Sequence, residues 1–486
     1  MCKGENEKAM PAESDTTEEN GLTLQNLAER FYYSDVEGHD KSGEEENQEI
    51  LRSDAKYMGS PVKMLYFPKV FTEQGFSRVR EAGETAWKIL VKVIREYLDH
   101  PDYRKLFGFP AELEEMICRR PEYSMLLPLC RLDMFLNEET GDFKFCEFNA
   151  DGSSAMNENR IMTEAYRKTE MYRDFAERYE QEPFELFDSW VRVFLNLVRQ
   201  AGHYPEHPQV AVVDFLEKSI TSAELEAFAE AFRRQGSDAC VAEIRGLTYD
   251  GEHLYTPEGF RIDAIYRRAV TGDILDHRGE IEPFLSAVRD RKVCLIGDFC
   301  TQVVHDKILF KILHLDRTKA FLSDEENRYI EEHVPYTADL TPDLLTKEKF
   351  MHTEWVCRSG KICRWILKPE DSYGAHGIYY SGDLTDEKWQ ELLKERAGKG
   401  YVIQEYVSPY RTLNADYTDT DYRDNPWQEQ AKGQKSPRIH SFANMTGMYL
   451  YGGHLAGIYS RLSPLNIISV EGDEHEMVSV VARRRS

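Results

Sequence analysis

The residue types and spacings most able to do chemistry lie in the stretch LCRLDMFLNEETGDFKFCEFNADGSS, residues 129–154. Two runs rich in apolar residues flank a polar turn, which predicts a hairpin with strands over 130–136 and 143–149. Side chains two apart share a face of a strand. Arg131, Asp133 and Phe135 therefore line one face of the first strand, and Phe145, Glu147 and Asn149 one face of the second. With Met134 opposite Cys146, Asp133 falls opposite Glu147 and Arg131 opposite Asn149, and Leu132, Leu136, Cys146 and Phe148 form an apolar reverse face. Like charges directly opposed destabilise a sheet unless a cation lies between them. Mg²⁺ seeks oxygen ligands, so Asp133, Glu147 and the Asn149 carbonyl make a candidate metal set, with Arg131 placed for a phosphate oxygen. Taken alone, the same pattern equally describes a solvated hairpin whose charges face water.

Further along, Lys307 follows the apolar run KVCLIGDF, and Lys368 ends the apolar run WILK. The segment after Lys368 carries Gly374 and Gly377 before another apolar run, a strand–loop–strand pattern able to lay backbone N–H groups over phosphates. An ordinary hairpin turn has the same signature. In YVIQEYV, Gln404 and Glu405 fall at the end of a buried strand, positioned either to read an adenine edge or simply to run out to the surface. Ser153 and Ser154 stand next to the metal hairpin, as contacts for an acyl group or as an N-cap for the following helix.

These residues need a frame. Residues 208–315 alternate strands (Val210–Phe215, Cys240–Ile244, Ile262–Tyr266, Val293–Ile296) with helices, an α/β pattern. In that stretch, Thr221 to Glu224 reads as a capping box for a helix reaching Arg234. The apolar spacing over 70–98 predicts a core helix, and the last third reads as α+β. The expected organisation is a flexible acidic leader over 1–50 with at most one short helix near 22–33, an α/β domain over 51–315 that contains the 129–154 hairpin, and a nucleotide-binding subdomain over 316–486 with a polar lid at 412–437. The leader holds 14 acidic residues against 4 basic ones, and its removal is expected to leave the rest of the chain intact.

Composition narrows the partners. The chain has 486 residues and a net charge of −25, so duplex DNA and anionic membrane would repel it. No run reaches the roughly 20 apolar residues of a membrane span, and the nine cysteines lack zinc-finger spacing. Reduced thiols and the absence of an apolar leader core point to the cytoplasm.

In order and spacing these pieces resemble the synthetase half of the glutathionylspermidine synthase family, over about residues 60–482. The Arg131-x-Asp133 and Glu147-Phe-Asn-Ala-Asp151 blocks match that family's metal motif, and Lys368-Pro369 through Gly377 matches its phosphate-covering loop. His454-Leu-Ala-Gly-Ile458 through Arg461 matches the segment that supplies a phosphate-binding arginine. Two departures stand out: Leu462 replaces a common Glu, and the chain lacks the separate amidase domain of some members. The resemblance implies a pre-ATP-grasp α/β domain joined to an ATP-grasp subdomain. It also implies that Lys307 and Lys368 grip ATP, that two Mg²⁺ ions are used, and that a carboxylate is joined to an amine through an acyl phosphate. The acid is a small molecule or peptide, of unspecified identity. A nucleotide-binding protein without turnover, and a phosphotransferase acting on a non-carboxylate acceptor, would use the same residues.

Overall fold

The computed structural model describes residues 21–218, 222–356, 360–370, 377–418, 438–469 and 473–485. The metal hairpin forms as expected, from Leu129–Leu136 and Phe143–Asn149. It does not stand by itself. The Leu129–Leu136 strand pairs antiparallel with Ile439–Tyr451, which pairs in turn with His454–Ser463, and that strand with His475–Met477. Residues on both sides of position 315 thus share one antiparallel sheet. The expected division at 315/316 runs through this sheet and does not separate two bodies.

The 27-residue helix Glu73–Asp99, capped by the Thr72 hydroxyl, covers the reverse face of this sheet. Its buried stripe (Val79, Ala82, Ala86, Ile89, Leu90, Val93, Ile94, Tyr97) recurs at helical spacing. Leu132, Met134, Phe148, Met448 and Ile458 meet it from the sheet in one apolar cluster.

The α/β pattern yields a parallel sheet in the order Cys294–Ile296, Ala264–Arg267, Val210–Asp214, Ala239–Glu243. Its strands are continuous apolar runs because both faces are covered, Asp188–Ala201 and Ser222–Arg234 supplying two of the helices. A smaller layer is built from Thr337–Asp339, Tyr401–Glu405, Ile362–Pro369, Glu354–Val356 and Tyr379–Tyr380. The helix Asp386–Arg396 packs on it through Trp389 and Leu393, against Trp365 and Leu367.

Two expectations are corrected. The 1–50 leader does carry the short helix expected near 22–33, as Gln25–Ser34, but a second helix, Val36–Arg52, follows it, and Leu24, Leu27, Ala28, Tyr32 and Ile50 are buried. The 412–437 segment begins as a strand, Arg411–Ala415 paired with Ile439–Tyr451, and residues 419–437 lie outside the described residues. The expected capping box starts at Thr221, which lies outside the described residues; the Glu224 Oε2 accepts from the Met156 and Asn157 amides, 2.7 and 3.2 Å away, capping the helix Met156–Tyr166.

A buried ion pair ties the hairpin turn to the rest. Lys69 Nζ lies 2.6 Å from Glu138 Oε1 and 3.0 Å from Asn444 Oδ1, and the Thr23 hydroxyl donates to the other Glu138 oxygen at 2.6 Å. Removing one partner leaves the other charge buried without compensation, a loss of about 3–5 kcal/mol. Glu138→Ala should therefore lower the urea midpoint strongly, and a midpoint unchanged from wild type would show that the pair is idle.

Candidate functional site

Along the hairpin, Arg131 pairs with Asn149 and Asp133 with Glu147, as the alternation of faces predicts. The register then slips. Met134 faces Phe145 and not Cys146, so a bulge carries Phe145 into the core and turns Cys146 to the other side, beside Phe135, Met445 and Ile468.

The two opposed carboxylates meet cations from protein side chains. Arg131 donates to Asp133 through Nε at 2.9 Å and Nη2 at 3.0 Å, a two-point contact. Arg461 Nη2 lies 2.6 Å from Asp133 Oδ2 and 3.3 Å from Glu147 Oε1. Asn149 turns its amide nitrogen to the same two acids, 2.9 Å from Asp133 and 3.1 Å from Glu147. Arg461 reaches Asp133 across the intervening strand at Gly447, which stands opposite both Asp133 and Tyr459. A Cβ at Gly447 would sit 2.7 Å from Asp133 Oδ1 and 3.1 Å from Arg131 Cδ. Glycine is what leaves room for this cluster.

Burial works against the Glu147 charge, but Arg461 and Lys307 outweigh it and hold this carboxyl well below its ordinary range. Burial pushes Asp133 up, against the pull of Arg131 and Arg461.

A cavity of about 450 Å³ opens between this sheet and the smaller layer. Arg131, Glu147, Asn149, Ser153, Ser154, Lys307, Lys368, Gln404, Glu405 and Arg461 all line it. Asp133 is wholly buried behind them. Lys368 Nζ is 3.1 Å from the Cys146 carbonyl oxygen, which brings it to the hairpin strand that carries Glu147. Gln404 is buried, its amide donating to the Thr337 hydroxyl at 2.9 Å. Glu405 lies 3.7 Å from Lys144, and its backbone N–H is taken by the Tyr336 carbonyl. Ile366, Ile378, Tyr406, Val407 and Ile468 give the cavity an apolar wall. Gly377, at φ +73°, adopts the left-handed backbone expected of a loop end; Gly374 lies outside the described residues.

Neither serine caps the next helix. Ser153 Oγ donates to the Asn149 carbonyl at 2.8 Å, and the Ser154 carbonyl accepts from Arg131 and from the Tyr449 hydroxyl. The cap position belongs to Ala155, held at φ +82°, a strained backbone for a residue with a Cβ.

Other cavity residues escape sequence reading. They include Tyr57 and Val62 from the N-terminal region, Asp214 and Asp273 from the parallel sheet and its loops, and Glu158, Glu474 and Glu476. Only their convergence marks them, since none sits in a motif.

Among the described residues, no group of three or more His, Cys, Asp or Glu side chains is arranged to hold a metal ion. Glu147, held ionised by Arg461 and Lys307, and the Asn149 amide nonetheless form an oxygen-bearing pair suited to a hard cation. Nor is any described helix long and apolar enough to cross a membrane.

No protein-family model and no curated protein matches this sequence. Solved structures do. A glutathione synthetase-like effector (GSS30) from Globodera pallida superimposes with a TM-score of 0.53 at 10% identity, over 90% of this chain and 96% of that one. A protein described as a candidate gamma-glutamylcysteine synthetase from Methylobacillus flagellatus KT gives a TM-score of 0.43 at 12% identity, over 85% and 90%. The chain thus shares, over nearly its whole length, the mixed α/β fold of a glutathione synthetase-like protein.

Proposed function

We propose that the chain is an ATP-dependent ligase of the ATP-grasp kind that joins a carboxylate to an amine. The observation that carries this reading is the single cavity in which Lys307, Lys368, Arg131 and Arg461 gather around Glu147 and Asn149, beside an apolar wall. Four cations in one cleft suit a polyphosphate, and the apolar wall suits a base. The fold shared with a synthetase-like protein agrees with it.

In this reading Gln404, Glu405 and the Tyr406–Val407 backbone hold the adenine, and the lysines and arginines hold the phosphates. Glu147 and Asn149, with Asp133 beside them, would hold Mg²⁺, which neutralises phosphate charge when bound. The acid's carboxylate oxygen attacks the γ-phosphorus, the bond to the β–γ bridging oxygen breaks and ADP leaves, giving an acyl phosphate from which an amine displaces phosphate. Ser153 and Ser154 border the acyl position. No side-chain nucleophile is required, and cations fixed before reaction supply the charge stabilisation.

One observation favours the alternative of nucleotide binding without turnover: Arg461 stands between Asp133 and Glu147, where the sequence placed a metal ion. ADP release measured with pools of amino acids, short peptides and amines, followed by product mass, separates the readings. Amide product, with oxygen-18 moving from the acid to phosphate, is expected. ATP bound with no ADP released would establish the non-catalytic alternative, and a phosphorylated acceptor without amide would establish a phosphotransferase.

Lys368 offers a simpler check. Its loss removes a charged contact to phosphate of about 1.5–3 kcal/mol, roughly ten- to hundredfold in Kd. Lys368→Ala should weaken ATP binding by that factor in calorimetry. Unaltered affinity would show that the strand end plays no part in the nucleotide site.

A further inference from the structure

The cavity holds a second group of acids that the ligase reading leaves unused. Glu158, on the helix Met156–Tyr166, and Glu476, on the strand His475–Met477, both line it and are both buried. Each has an Oε2 that is shut off from solvent and has no hydrogen-bond partner among the described residues. Glu476 stands directly opposite Arg461 in the sheet, so its side chain shares the face that carries the guanidinium.

The cations nearby are engaged elsewhere. Arg461 holds Asp133 and Glu147, and Arg268 donates to Glu224 at 2.7 Å and to the Ser153 carbonyl. The groups facing Glu158 are Glu224, Arg268, Glu476, Tyr449 and Tyr459; those facing Glu476 are Glu474, Glu158, Arg461 and Tyr459. A buried carboxylate oxygen without a donor is unfavourable when charged, and two acids within each other's field do better holding a proton.

We propose that Glu158 and Glu476 form a carboxyl pair that takes the proton from the incoming amine during ligation. The proposal rests on the ligase reading. An ammonium cannot attack, because its nitrogen has no lone pair. One of its protons passes to the carboxyl pair, and the freed lone pair forms the C–N bond to the acyl carbon. The bond from that carbon to the phosphate oxygen breaks, its electron pair leaving on phosphate. The second nitrogen proton goes to the departing phosphate, and the pair returns its own proton to solvent.

Protonation is favoured in the range this needs. Burial, and then the Glu224 charge, push Glu158 up to about 8, and burial with Glu474 and Glu158 pushes Glu476 well up. A base titrating near working pH transfers protons most effectively.

The test has two arms on the full chain. Hydroxylamine attacks an acyl phosphate as the neutral species and needs no base, whereas n-propylamine is protonated at neutral pH. With ATP and the acid pool described above, Glu158→Gln and Glu476→Gln should cut n-propylamide formation by about a hundredfold or more. Hydroxamate formation should stay near wild type. The second arm follows melting temperature against pH. An acid whose folded pKa is raised contributes stability at low pH that is lost as pH rises toward the folded value. Glu158→Gln, which cannot ionise, should melt with wild type near about pH 5 and above it near about pH 9. Equal losses with both nucleophiles, or melting curves that run parallel in pH, would overturn the pair as proton acceptor. A wild-type chain that yields neither product overturns the ligase reading, and the pair falls with it.

Discussion

A chain that begins at residue 53 is expected to lose its cooperative melt and to come out of solution on expression. The acidic first 50 residues look dispensable by composition, yet residues 21–52 are built into the core. Leu24, Leu27, Tyr32 and Ile50 are almost completely buried. Each such side chain contributes roughly 1.5–3 kcal/mol, so four together approach the roughly 5–15 kcal/mol by which a whole domain is stable. Deletion would also expose the surfaces they cover and strand their polar partners. Asn47 donates to the Tyr417 carbonyl at 2.7 Å, and His39 bridges the Tyr66 hydroxyl and Asp174. The Leu24 amide donates to Val70 and the Leu22 carbonyl accepts from Thr72, tying the segment to the strand that carries Lys69. Circular dichroism melts decide the matter. A truncated chain with a wild-type transition would mean that the helices are ornamental. As a milder version, Leu27→Ala should cost about 2–5 kcal/mol.

Why this segment misleads is instructive. The buried positions of Val36–Arg52 are His39, Ser42, Gly43, Glu46, Asn47 and Ile50. They recur at helical spacing, but only one of the six is apolar. A search for apolar periodicity passes over a stripe made of small and hydrogen-bonding side chains. The spacing was present; the chemistry being sought was the wrong kind.

The hairpin was legible for the opposite reason. Alternation with one apolar face fixes register, because a slip by one residue exposes the whole core face. That logic placed Asp133 opposite Glu147. It failed four residues from the strand end, and the conflict is visible in the residues themselves. Phe143 and Phe145 share one parity and Phe148 the other, yet all three are buried. No unbroken strand can bury all three on one side, so a bulge is required. Arg461 and Gly447 lie beyond any local argument: more than 300 residues separate Asp133 from either, and only sheet order brings them together. The resemblance to glutathionylspermidine synthases pointed to Arg461 as a phosphate ligand, and the structure places it at the same cavity. Glu224 shows the limit of motif reading, since no local spacing signals that its side chain caps a helix 68 residues earlier.

The largest kinetic effect should come from Glu147→Gln, and it should fall on turnover and not on nucleotide binding. Glu147 is the acid of the cluster that lines the cavity, ionised because Arg461 and Lys307 outweigh its burial. Its hold on the negative form extends well below the ordinary carboxylate range, so it stays charged across the whole pH range in which the fold is tested, and activity should show no acid limb from this residue. The amide of glutamine keeps the volume and one oxygen but removes the charge. The surrounding cations then outnumber the anions by one more, which favours a polyphosphate, so ATP affinity should hold or tighten. What is lost is the anionic partner for a hard cation and the counter-charge that fixes Arg461 between Glu147 and Asp133. Removing one preorganised electrostatic partner at a reacting centre lowers kcat by on the order of 10²–10³. The diagnostic pattern is therefore a large fall in kcat with an unchanged or lower KM for ATP, in a protein whose melt matches wild type. A rise in KM with kcat preserved would make Glu147 a binding residue only, and near-normal turnover would remove the hairpin from the reacting centre altogether.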